Sequence, residues 1–545
     1  MMPSLLLLCA LTGISDTTYQ AWEASAIAPN PRRAAPNAIG HRLSEQEIAK
    51  LASEQPAIPF KEVTVAVRLT DGTVWAGSPR GLMRYGPKEA RWKLFHSRRW
   101  LSDDHVVDLL VVSSHSCYAK SKSGTVDWIR QKPMTLEKKI AGIHSHLQHR
   151  AVRLGLIAEI ELDGPGNLKK NWKQPDSDNN GLWTAMYVAA EAFRYSVTGE
   201  SEAKLNASRS LKALMNLEAI TGLPGYVARS IAPIKIPVSA LRDQERWRVT
   251  KDGKMRWKSD TSSDEVDGHY FAYAVYFDVC AGPKEKEEIR DVVGRITDHI
   301  IANDYQYIDP DGKRTTWGVW APKELNDNPK WAPERGLNSL EILSHLKVAH
   351  HITGDPKYEK AYRELIEKHH YAENTIEQKR VHESGYTNHS DDELAFLAYY
   401  PLLMYERDPK LRATYMKSIQ RTWDFERPEK SPFFNFIYAA AIQAEKRTDP
   451  AARPAEAGVD PKQYDLDECI EWFRDVPADM VSWSVDNNGR NDLVPGQVFP
   501  PSERRLMKWN GSPYKLDGGD GGMQADDGGY ILLPYWMGRW HRFVD

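Results

Sequence analysis

Five stretches of this 545-residue chain would present apolar side chains on nearly every face of a helix. They run from Leu182 to Val197, His269 to Cys280, Leu337 to Ile352, Glu393 to Tyr405 and Phe433 to Glu445. A helix with no polar face has to be surrounded by protein. Each stretch is followed by a turn or loop and a second helical stretch: Glu202 to Ile220, Lys284 to Ile301, Tyr358 to His370, Leu411 to Trp423 and Leu466 to Phe473. These partners are amphipathic; Ile289, Val292, Val293, Ile296 and Ile300 form one stripe at helical spacing. An enclosed helix paired repeatedly with a one-sided one describes two layers, an inner set and an outer set.

The turns fit this reading. Asp355-Pro-Lys357 and Asp408-Pro-Lys410 each place an Asp where it caps the second helix and a Pro in its first turn, where the missing N–H costs nothing. An extra helix is expected in front, from Met134 to Leu156, and the aromatic end Leu533 to His541 is expected to close the ring. The predicted fold is mainly α, an (α/α)6 toroid over residues 133–545. An α-solenoid is the alternative, disfavoured by pair spacings that vary from roughly 40 to 85 residues.

The N-terminal part differs. Val63 to Arg68 alternates, Asp71-Gly72 is a hairpin turn and Thr73 to Ala76 follows, so residues 61–132 are expected to form a small antiparallel β unit. The stretch from Asp71 to Tyr85 resembles a two-component-regulator propeller repeat, but about 70 residues fall short of the roughly four to eight blades of a closed propeller. Residues 26–60 read as a linker. Leu5 to Leu11 resembles the apolar core of a signal peptide without the basic residues before it, so export and a cytoplasmic location both stay open.

A formal net charge of −3 gives no support for a nucleic-acid partner. No apolar run reaches the roughly 20 residues of a membrane span. The four cysteines are scattered and imply neither a zinc site nor a disulfide framework. No cofactor or metal is called for. Asp176 to Gly181 starts like a Ca²⁺ loop, but Tyr187 stands where the bidentate acid belongs, which leaves a bound Ca²⁺ open without predicting one.

Polar motifs precede the apolar helices and so share one rim of the ring. Asp178 and Asn180 are candidates for binding sugar hydroxyls, with a helix cap as the structural alternative. Arg229, after the turn Gly222 to Gly225, is a candidate for holding a substrate carboxylate, a group that suits the guanidinium fork, with a structural salt bridge as the alternative, and Tyr226 beside it is a further substrate-binding candidate. Asp264, Glu265, Asp267, His269 and Tyr270 crowd one helix start, and Asn388, His389, Asp391, Asp392 and Glu393 crowd another. First-turn acids favour the helix dipole in any case. Trp317, Trp320 and Trp331 could line a sugar subsite, and Glu334 with Arg335 could form a local ion pair. Asp517 to Gly522 and Asp526 to Gly529 are expected to be a mobile loop.

Taken together, residues 135–545 resemble the bacterial six-hairpin toroid enzymes that degrade carbohydrates. Within that group, the uronate polysaccharide lyases neutralise a carboxylate with Asn, abstract a proton with His or Tyr and protonate the leaving oxygen with Tyr. The resemblance would assign these roles to Asn388, His389, Tyr270 or Tyr226, and Arg229, with an acidic glycan as substrate. The alternative is an inverting glycoside hydrolase similar to the unsaturated glucuronyl hydrolases. It needs two carboxyls about 6.5–9.5 Å apart, supplied by Asp264 or Asp267 with Asp391 or Asp392. A non-catalytic sugar-binding protein is the third reading.

Overall fold

The computed structural model describes residues 18–27, 38–54, 57–378, 389–447, 458–486, 498–506, 508, 511–513 and 517–544. Twelve of the helices among the described residues build two layers. In chain order they are α1 (Leu136–Arg150), α2 (Asn180–Thr198), α3 (Ser201–Ala219), α4 (Ser263–Val279), α5 (Pro283–Ala302), α6 (Arg335–Thr353), α7 (Pro356–His369), α8 (His389–Tyr405), α9 (Pro409–Glu426), α10 (Pro432–Glu445), α11 (Leu466–Asp475) and α12 (Gly529–His541). The even-numbered helices pack in sequence, α2 on α4, α4 on α6, α6 on α8, α8 on α10, α10 on α12, and α12 returns to α2. The odd-numbered helices lie outside them, with α1 against α12. This closed six-fold ring is an (α/α)6 toroid, and its closure rules out an open solenoid.

The sequence reason is visible helix by helix. In α4, fourteen of seventeen residues are buried, and in α6 the buried set includes Glu341, Ser344, His345 and Lys347 beside the aliphatic residues. Outer helices bury one stripe, as α5 does with Ile289, Val292, Val293, Ile296 and Ile300. Asp355 and Asp408 cap α7 and α9 through Lys357 and Lys410 backbone N–H groups at 3.0 and 2.9 Å.

Three expectations change. The front helix ends at Arg150, because Val152–Arg153 and Leu156–Ile157 form a small hairpin with Leu154 and Gly155 at positive φ. The loop after Asp517 is built into the fold rather than loose: Gln524–Ala525 pairs with Ile160–Glu161, and the Trp483 ring lies against Gly522. Residues 18–60 are neither wholly leader nor linker where they are described. Strand β1 (Tyr19–Ile27) pairs along its whole length with a later strand, Val126–Met134, and Leu43, Leu51, Ile58 and Phe60 are buried in a β core.

That core belongs to two antiparallel sheets. One has the order β2 (His41–Arg42), β3 (Val65–Arg68), β4 (Val74–Ser78), β5 (Gly81–Gly86), β6 (Arg91–Phe95). The other has β1, then β9 (Val126–Met134), β8 (Ser116–Ser121) and β7 (Val106–Ser113). Trp22 of β1 packs edge-on against Trp75 and Phe95, which couples the sheets. No helix among the described residues is long and apolar enough to cross a membrane.

Candidate active site

Because inner and outer helices alternate, all six inner helices run the same way and their N-termini share one rim. Tight packing there depends on two glycines. A Cβ on Gly181 would lie 1.9 Å from Glu265 Oε2, and one on Gly268 would lie 3.0 Å from Leu182 Cα, so α2 and α4 approach only because both side chains are missing.

Carboxyls from three neighbouring helices gather inside this end. α4 supplies Asp264, Glu265 and Asp267; α6 supplies Glu341; α8 supplies Asp391, Asp392 and Glu393. Burial holds the carboxyls of Glu265, Asp267, Glu341 and Glu393 well above the usual carboxylate range. The groups sense one another: Asp267, Asp264 and Asp391 raise Glu341, while Asp264 and Asp267 raise Glu393. These acids are therefore neutral over a range where a solvated carboxylate would be ionised. Asp264 differs in being only half-buried; burial raises it too, against the Arg229 charge and a 3.4 Å contact from Asn179 Nδ2.

Deeper in the ring, His345 Nε2 lies 3.2 Å from Asp267 Oδ1, and its ring stacks on Tyr270 at 4.3 Å. Burial pushes His345 down to about 3, so both members of this pair are neutral. Trp320 Nε1 donates to Glu341 Oε2 at 2.8 Å. Lys508 lies 2.6 Å from Asp527 and 3.8 Å above the Trp183 ring. Burial works against its charge, but Asp527 and Asp526 outweigh it and raise its pKa.

Several residues expected at the site are committed elsewhere. Arg229 is buried, and its guanidinium donates to Asp178 O at 2.9 Å, Asp260 O at 3.1 Å and Asn179 Oδ1 at 3.2 Å. It ties together the loops entering α2 and α4, which is a structural use of the fork. Tyr226 is buried, bonds Asp309 through its hydroxyl and stacks on Tyr307. Tyr270 spends its hydroxyl on Thr297 of outer helix α5 at 2.6 Å. His269 turns back along its own helix, with Nδ1 2.6 Å from Glu265 O, and burial lowers it to about 4. Asn180 is fully buried, donating to Ile157 O and accepting from Ser230 Oγ. Asp178 pairs with the buried Lys258, which also holds Asp243. Glu334 and Arg335 do not need each other, since Arg335 Nε donates to Leu325 O at 2.7 Å.

Trp317 is 51% exposed at the rim, with its ring edge-on to the buried Trp331 at 6.4 Å. Asp391 is half-buried in the first turn of α8. His389 is buried, its Nδ1 3.4 Å from Glu426 Oε2. Asn388 lies outside the described residues.

Glu341, His345, Lys508 and Trp183 were not singled out from the sequence. Glu341 and His345 had a usable signal. They stand four apart on a largely buried helix, and a buried polar pair at that spacing needs partners facing the same way. Lys508 carried no such signal, because its role comes from where it stands in the fold, beside Asp527 and over the Trp183 ring.

No family model matches the chain, and no curated protein sequence matches it. Among solved structures, it is similar to the unsaturated glucuronyl hydrolase from Bacillus sp. GL1, at 11% identity and a TM-score of 0.40, covering 75% of this chain and 97% of that one. A glycoside hydrolase family 76 mannosidase from Bacteroides thetaiotaomicron aligns at 11% identity and a TM-score of 0.26, over 54% and 88% of the two chains. AaCel9A in complex with cellobiose-like isofagomine aligns at 11% identity and 0.38, over 88% and 95%. These likenesses are remote, and the fold rests on the ring closure described above.

Proposed function

We propose that the protein is a glycan-cleaving hydrolase that works at the acid-lined end of the ring. The observation that carries this reading is Asp264, a half-buried carboxyl raised by its surroundings and set among further carboxyls from facing helices. A raised, reachable acid is what protonation of a leaving glycosidic oxygen requires. Asp391, half-buried at the start of α8, is the partner base. In the reaction Asp264 gives its proton to the leaving oxygen as the C–O bond breaks. Asp391 takes a proton from the water whose oxygen forms the new bond to the anomeric carbon. An inverting outcome needs the two groups about 6.5–9.5 Å apart across the bound sugar.

Elimination has less support. Of the residues the resemblance would assign to it, Tyr226, Tyr270 and Arg229 are spent on Asp309, Thr297 and loop carbonyls. An acidic glycan remains the favoured substrate, with Lys508 rather than Arg229 as the cation facing it and Trp183 and Trp317 as stacking surfaces.

The test is a panel of neutral, uronate-containing and carboxyl-reduced glycans, followed by reducing-end release and by absorbance of a 4,5-unsaturated product. New reducing ends without absorbance are expected. Asp264→Asn and Asp391→Asn should each lower kcat at least about 10²-fold, the lower range for a general acid or base, with unchanged circular dichroism. An unsaturated product, or near wild-type kcat in both variants, refutes the assignment.

A further inference from the structure

We infer that His389, Asp392 and Glu426 form a binding site for one divalent transition-metal ion, with zinc the best fit. His389 and Asp392 stand three apart on the first turn of α8, on one face of the helix. Glu426 is the last residue of α9, which runs back toward that same end. One ligating atom from each lies within 4.8 Å of the others. The exposures are 2%, 0% and 1%, so this is an interior cluster rather than a set of acids on a solvated surface.

The spacing suits a single ion. Zinc bonds to imidazole nitrogen and carboxylate oxygen are about 2.0–2.2 Å, so neighbouring ligand atoms on a tetrahedron stand about 3.4 Å apart. His389 Nδ1 and Glu426 Oε2 are 3.4 Å apart. A divalent ion would bring positive charge to both carboxylates at once. An imidazole among the ligands favours zinc over Ca²⁺ or Mg²⁺, which take oxygen donors. Three protein ligands would leave a fourth position for water.

The site would act on the rim through position. The turn that carries His389 and Asp392 also carries Asp391 and Glu393. An ion shared with Glu426 would clamp that turn to the end of α9. The inference does not depend on the hydrolase reading, because binding is read without any substrate.

The experiment uses the full chain, stripped with chelator and then titrated with zinc by calorimetry and with cobalt(II) by visible absorption. One equivalent per chain is expected, with ligand-field bands from cobalt and a higher melting midpoint after zinc is restored. Asp392→Asn and Glu426→Gln preserve side-chain shape and remove the charge; each should weaken zinc at least about tenfold and abolish the cobalt bands. His389→Ala should do the same, and circular dichroism of the two isosteric variants guards against loss of folding. Absence of saturable binding in the wild type overturns the inference. So does zinc affinity unchanged in the folded Asp392→Asn and Glu426→Gln proteins.

Discussion

Replacing Glu341 by Gln should stabilise the protein at neutral pH and leave it nearly unchanged in acid. Glu341 is fully buried on α6, and its carboxyl is held well above the ordinary range, first by burial and then by Asp267. The native state therefore keeps a proton that the unfolded chain releases above about pH 4.3. Where the folded protein binds more protons, stability falls as pH rises, by about 1.4 kcal/mol per pH unit for one group. The loss begins near the unfolded pKa and continues until the folded group ionises. Gln carries no such proton, yet it can still accept the 2.8 Å bond from Trp320 Nε1. Between pH 5 and pH 7 the variant should thus gain up to about 3 kcal/mol relative to the wild type. Urea unfolding at pH 5, 6 and 7 measures this directly. Parallel pH curves for the two proteins would show that Glu341 is ionised in the folded state and that the account of a neutral acid cluster is wrong.

Two further outcomes follow from the contacts. Arg229→Lys keeps a charge but cannot reach Asp178 O, Asp260 O and Asn179 together, so it should cost about 1–3 kcal/mol of stability. Its KM values on acidic and carboxyl-reduced glycans should shift alike, and a loss confined to acidic substrates would put the residue back in the site. Trp317→Ala removes an exposed ring, and an aromatic contact of about 0.5–1.5 kcal/mol predicts a KM increase of roughly two- to tenfold. Melting temperature should fall only slightly, through the lost edge-on contact with Trp331, and an unchanged KM would remove Trp317 from the substrate path.

The ring was legible because its cause is local. A helix such as Phe433 to Glu445 has no face to give to water, and Pro432–Glu445 is indeed enclosed. The turns that begin α7 and α9 repeat one capping pattern, so hairpin order could be read directly. The rim was legible as a place but not as a set of roles. Arg229, Tyr226 and Tyr270 have the residue types of an acidic-glycan site, yet each found a nearer partner: a loop carbonyl, Asp309, Thr297. Residue type cannot report that competition, because the partners come from segments 27 to 83 residues away. The acids Asp264 and Asp391 could be named from their helix starts. Glu341 could not be joined to them until α6 was placed between α4 and α8.

The β unit docks on the last outer helix and on the segment that follows it, not on the ring as a whole. Lys93 Nζ lies 2.7 Å from Asp475 Oδ1, at the end of α11, and donates to Ser502 Oγ at 2.7 Å. Leu94 N donates to Glu503 Oε1 at 2.9 Å, and Trp100 Nε1 to Ser502 O at 3.2 Å. Burial alone would raise Asp475, but Lys93 and the Ser502 donors hold it down at about 2. That contribution to stability is full above the unfolded value near pH 4 and is lost only as pH falls toward 2. Residues 502 and 503 are thereby fixed by the β unit, five residues before Lys508 turns into the rim. Outer helices end where inner helices begin, so this anchor lies at the acid-lined end of the ring. The β unit is best understood as a brace at the end of the ring where Lys508 meets the charge of Glu393.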